Sequence, residues 1–151
     1  MAIDIDEVRR RIDLDEPDYE ALAAALGPQS IPHLLKLVAS DDAAVASKAT
    51  YLLSLFDTPQ AVEGVEAAAK SADTNVRAAA AAAMRNLRGG SGVDTFRRLL
   101  SDPDPGVRKV ALRSARASAG PAVRAEIERI AREDPEDGLR SAARAVLGEL
   151  G

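Results

Sequence analysis

His33 is the sole histidine in this chain of 151 residues, which contains no cysteine. A general base works only when a partner holds it against the proton it takes. His33 follows Ile31-Pro32 at a helix start with no nucleophile near it in sequence, and it reads as a surface or cap residue. The missing cysteines remove thiolate metal sites, cysteine nucleophiles and disulfides, and a single imidazole removes any multi-histidine metal centre. Carboxylates cluster at Asp41-Asp42 and Asp102-Pro103-Asp104, where they fit helix starts better than a metal cage. The run Arg88-Gly89-Gly90-Ser91-Gly92 precedes a helical pattern but lacks the Lys-Ser or Lys-Thr and the preceding strand of a phosphate loop. It is expected to be an inter-helix loop. The inventory therefore predicts no catalytic residue, no metal and no cofactor, and a protein that is not an enzyme.

Chemistry of another kind recurs along the chain. Asp42, Asp73, Asp104 and Glu136 each stand three residues before an aliphatic position, and Arg77, Arg108 and Arg140 each stand one residue after it. An acid near a helix start offsets the positive end of the helix dipole, and an arginine on the same turn has the reach to meet the acid of a neighbouring unit. The expected role is an inter-repeat capping and salt-bridge ladder, with a phosphate-binding arginine ladder as the rival.

The elements that must position these residues are repeated too. The aliphatic anchors Val45, Val76, Val107 and Leu139 are separated by 31, 31 and 32 residues. Around each, apolar residues recur at helical spacing, as in Val45, Ala49, Leu52, Leu53 and Phe56 or Val76, Ala80, Ala83, Met84 and Leu87. Shorter helical patterns lie between them at 31–39, 61–70, 93–100 and 123–132, set off by breakers at Gly27-Pro28, Asp57-Thr58-Pro59, Arg88 to Gly92 and Gly120-Pro121. No stretch has the period of a strand. The unit is a helix pair, and the chain divides into residues 28–58, 59–89, 90–120 and 121–151, preceded by a degenerate capping pair over 1–27, all in one domain 1–151. A lone pair cannot bury its apolar face, so such units stack and their ends must be capped.

The run Asp104-Pro105-Gly106-Val107-Arg108-Lys109-Val110-Ala111, its counterparts, and Gly120-Pro121-Ala122-Val123 opening the next helix resemble HEAT-like repeats, in particular the short bacterial type also found in phycobilisome lyases. The likeness covers residues 28–151. It implies an all-α, right-handed α-solenoid of about four or five helix pairs, with the second helix of each pair lining a concave groove. The first repeat departs from the pattern, with Ala46 where the others carry arginine.

On that concave side the offsets place Lys48, Tyr51 and Leu55, then Ala78, Ala82 and Asn86, then Lys109 and Arg113. Tyr51 beside Lys48 is the sort of anchor that interface centres favour, and alanines let an incoming backbone approach closely. The expected function is a scaffold or adaptor that takes a protein, peptide or helix in this groove. The rival is nucleic-acid or polyanion binding through Lys109, Arg113, Arg116 and Arg144. Residues 1–75 hold 6 basic and 14 acidic side chains, and residues 76–151 hold 14 and 10. A formal net charge of -4 and only 3% aromatic residues argue against the rival. The family name alone suggests an accessory subunit of a lyase-type enzyme, for which no cysteine is present to attach a chromophore. The first residues hold Asp4, Asp6 and Glu7 and no apolar run of membrane length, so a cytoplasmic monomer without membrane association is expected.

Overall fold

The structure is a computed structural model and describes residues 3–14, 17–87, 92–115 and 120–151. Within them the chain forms ten α-helices and no strand. They are α1 (Ile5–Ile12), α2 (Tyr19–Leu26), α3 (Ile31–Val38), α4 (Ala43–Leu53), α5 (Pro59–Ala69), α6 (Thr74–Ala83), α7 (Val93–Leu100), α8 (Pro105–Ser114), α9 (Pro121–Glu133) and α10 (Asp137–Leu150).

Helix starts follow the local chemistry. The carboxylates of Asp42, Asp73 and Asp104 accept backbone amides from the first turns of α4, α6 and α8. Asp4, Asp18 and Thr58 do the same for α1, α2 and α5, each supplying an acceptor that the free amides of a helix start otherwise lack. Pro59, Pro105 and Pro121 open their helices where no donor is required.

The even-numbered helices α2, α4, α6, α8 and α10 pack successively on one another, as do the odd-numbered α1, α3, α5, α7 and α9, and each even helix also packs on the odd helix before it. The result is a two-layered all-α solenoid. The anchors Val45, Val76, Val107 and Leu139 are all buried, and Leu34, Leu52, Leu53, Leu99, Leu100, Leu112, Ile127 and Ile130 fill the space between the layers. Phe56, expected in the core, is half-buried at its edge.

The two layers differ in side-chain size at their lateral contacts. In the even layer, Ala46, Ala49, Ala80, Ala81, Ala83 and Ala111 are fully buried, and α4 meets α6, and α6 meets α8, more extensively than α3 meets α5 or α5 meets α7. Small residues let helix axes approach, so the even layer packs its helices along a seam of alanines. Gly64 serves the same end between the layers. A Cβ there would stand 2.5 Å from Leu53 Cδ1 and 2.8 Å from Leu35 Cδ2.

Candidate functional site

The repeated arginines do form a ladder, but not with the acids expected of them. Asp42, Asp73 and Asp104 are occupied as caps, and Glu136 makes no side-chain cap bond. Arg77 instead donates to the two carboxylate oxygens of Asp102 at 2.9 and 3.3 Å. Arg108 donates to those of Asp134 at 2.8 and 3.1 Å. Each guanidinium also clamps carbonyls of its own inter-helix loop, Ser71 and Ala72 for Arg77 and Asp102 and Pro103 for Arg108. Bidentate pairing of this kind suits the planar fork of arginine. Arg140 repeats the carbonyl clamp on Asp134 and pairs with Asp137 of its own helix.

Asp102 and Asp134 occupy one register position, two residues before the cap acid, where Ser40 and Ser71 stand in the earlier units. All four side chains accept the amide two residues on. Ala46, the one departure from arginine, faces the unit that carries Ser71 in place of aspartate. The chain therefore exchanges both members of a rung together, which is the signal in the sequence that identifies the true partners. Burial on its own pushes the Asp134 carboxyl up. The hydrogen bonds from Arg108 and the Glu136 amide, with the charges of Arg108 and Arg129, outweigh it and hold the group below its ordinary value. Both rungs are largely shielded from water, so Arg77 and Arg108 are engaged in holding the units together.

The outward face of the even layer is where the candidate binding residues lie. Lys109 and Arg113 on α8 are exposed, and Ala78 and Ala82 on α6 are half-buried beside them. Neither Lys109 nor Arg113 makes an ion pair or side-chain hydrogen bond among the described residues. Arg85, just beyond α6, is also exposed and without such a bond there; no periodic pattern marks it in the sequence. Asn86 is committed to its neighbour, donating to Ser54 Oγ at 2.9 Å. Arg144 donates to the Ala131 carbonyl. Arg116 and the residues 88–91 lie outside the described residues.

Lys48, Tyr51 and Leu55 are placed differently from the expectation. All three are half-buried, because the capping pair covers them. Lys48 Nζ donates to the Leu14 carbonyl in the α1–α2 connection. The Tyr51 ring is tilted against Tyr19 of α2 with centroids 4.8 Å apart, a favourable edge-on arrangement for aromatic rings. Burial first, then the proximity of Tyr51, raises the Tyr19 phenol above its ordinary value. Leu55 lines an open cleft of about 410 Å³ with Glu20, Ala23, Ala24, Gly27, Pro28 and Phe56. His33 Nε2 lies 2.9 Å from the Ile3 carbonyl and helps to dock the N-terminal segment. The candidate residues thus separate into a group that seats the first helix pair and a group on α6 and α8 that faces outward.

Paired helices, a period near 31 residues and a buried Arg–Asp ladder agree with what a profile match finds: HEAT repeats, over residues 62–148. The chain belongs to the HEAT repeat family. The X-ray structure of YibA from Escherichia coli, a target of the Northeast Structural Genomics Consortium, is similar to this HEAT repeat protein over 96% of this chain and 70% of its own, at 16% identity and a TM-score of 0.49. No curated protein matches the chain. HEAT repeats in general mediate protein–protein interaction. No helix among the described residues is long and apolar enough to cross a membrane.

Proposed function

We propose that this HEAT repeat protein is a non-enzymatic scaffold or adaptor that takes a peptide or helix along the outward face of its even helix layer. The observation that carries the reading is the juxtaposition, on adjacent helices, of the low row Ala78 and Ala82 with the exposed Lys109 and Arg113. A floor of small side chains admits a backbone closely, and cations at its border supply orientation and encounter rate. The two-layered array holds that face rigid, so binding requires little ordering of the receptor. We place the protein in the cytoplasm as a monomer. The narrower likeness to phycobilisome lyases has only the segment from Asp104 to Ala111 and its counterparts behind it.

The test is affinity capture from native lysate with wild-type protein and the Lys109→Glu, Arg113→Glu variant side by side. Both side chains are exposed, and exposed substitutions usually shift stability by less than about 0.5 kcal/mol, so circular dichroism and melting should be unchanged while the specific partner is lost. Retention of every captured protein at wild-type affinity would reject this face.

A further inference from the structure

Acidic side chains are unevenly placed within the even layer as well as along the sequence. Helices α4, α6 and α8 of the even layer contain no aspartate or glutamate at all. Among the odd-layer helices beside them, α3 is likewise free of acids, whereas α5 carries Glu63 and Glu66, α7 carries Asp94, and α9 carries Glu126, Glu128 and Glu133. In a chain with 24 acidic residues, three consecutive helices of the even layer have cations as their only charged residues. Two of those cations, Arg77 and Arg108, are consumed by the ladder, and Lys48 is held by the Leu14 carbonyl. Lys109 and Arg113, with Arg85 at the end of α6, are directed to no acid among the described residues. The acids of the layer around α6 and α8 are the cap residues Asp73, Asp104 and Glu136 at helix starts and Asp137 and Glu149 on α10.

We propose that the occupant of this face is an acidic peptide segment, bound in extended form across α6 and α8 with carboxylates on Lys109, Arg113 and Arg85. This deepens the proposed function and rests on it. Neighbouring packed helices lie about 8–10 Å apart, and an extended chain rises about 3.3 Å per residue. Carboxylates three residues apart along the segment therefore span the distance from one helix to the next. The intervening small side chains fit the low floor at Ala78 and Ala82. Nucleic acid suits the face less well, since its charge repeats every ~1.7 Å and requires many more contacts than three cations provide, and no exposed aromatic ring stands among them to stack a base.

The experiment is selection from a random-sequence peptide library displayed on phage, using the intact protein. It is followed by amide chemical-shift mapping of the selected peptides and titration against Arg85→Gln, Lys109→Gln and Arg113→Gln variants whose folding is checked by circular dichroism. The proposal expects peptides enriched in acids at three-residue spacing, shifts centred on Ala78, Ala82, Lys109 and Arg113, and affinity reduced about tenfold or more when the three cations are neutralised together. Acid-poor peptides that map to the same face overturn the acidic segment and leave the groove standing. Peptides that map elsewhere, or the recovery of none, overturn the acidic segment, and mapping elsewhere counts against the groove as well. A single-stranded DNA oligonucleotide that maps to these residues and binds more tightly than the best peptide at physiological salt overturns the proposal in favour of nucleic acid.

Discussion

Removing one member of the Arg108–Asp134 rung should cost far more than removing both. The Arg108 and Asp134 side chains are 11% and 4% exposed, so truncating either strands a charge in a site nearly closed to water. Arg108→Ala leaves the Asp134 carboxylate with one amide, from Glu136, and takes the donor from the Asp102 and Pro103 carbonyls. Breaking a buried pair in this way costs about 3–5 kcal/mol. Asp134→Ser retains a hydroxyl able to accept the Glu136 amide, as Ser71 accepts that of Asp73, but leaves the guanidinium unpaired at a similar cost. The double variant converts the rung into a copy of the natural Ala46–Ser71 position, where neither charge is present. Replacing both members of a buried ion pair together is often near neutral, so the double variant should lose no more than about 2 kcal/mol, and the coupling should be about 4 kcal/mol or greater. Urea denaturation followed by helical circular dichroism reads this directly. With a slope of about 1–3 kcal/mol/M, each single variant lowers the midpoint by about 1 M or more while the double variant recovers most of it. Simple additivity, or an Arg108→Ala loss below about 1 kcal/mol, would refute the claim that the pair and its shared burial hold the two units together.

Other perturbations probe the register and the packing. Val107→Asp places a lone carboxylate at a fully buried anchor and should cost several kcal/mol out of a total of about 5–15; unchanged melting would displace α8 from its assigned register. Asp134 is held below its ordinary value, so its contribution is complete above about pH 4 and is lost as pH falls further through the folded-state value. Melting temperature followed downward from neutral pH should therefore drop less steeply in Asp134→Asn than in wild type, and parallel acid limbs would contradict that assignment. Ser47 Oγ is buried without a partner among the described residues, so Ser47→Ala should be neutral or stabilising by up to about 1 kcal/mol; a loss greater than that, measured by the same denaturation, would show that the hydroxyl is bonded.

The helix pairs were legible because their causes are local and repeated. Val45, Val76, Val107 and Leu139 announce the period. Asp42, Asp73 and Asp104 announce the caps, and Pro59 and Pro121 open helices where the breakers lie. The rung partners were harder to read, because a cap acid and a bridging acid are both aspartates near a helix start, two residues apart at Asp102 and Asp104. Reach decides between them. The side chain three before the anchor folds onto the first-turn amides of its own helix, whereas the one five before it meets the arginine of the preceding unit. The paired exchange of Ala46 with Ser71 distinguishes them only when both positions are considered together.

Tyr51 and Leu55 show why a binding surface is less legible than a fold. Their helical offset does put them on the same side of α4 as Ala82 and Asn86 on α6, so the periodicity is right. Yet α4 follows a capping pair, and α2 lies across that side, with Tyr19 against Tyr51 and Ala23 and Ala24 beside Leu55. A large aromatic at this offset occurs once, in the unit that must hold an irregular cap, while α6 carries Ala82 and α8 carries Arg113. Amphipathic pattern reports which side of a helix is apolar but not which neighbour covers it. The exposed positions are therefore better found on α6 and α8, beyond the reach of the capping pair, than from the presence of an aromatic. Arg85, Lys109 and Arg113, exposed and without a partner among the described residues, are the cations on which the proposed face rests, whereas Tyr51 packs on Tyr19 of the capping pair.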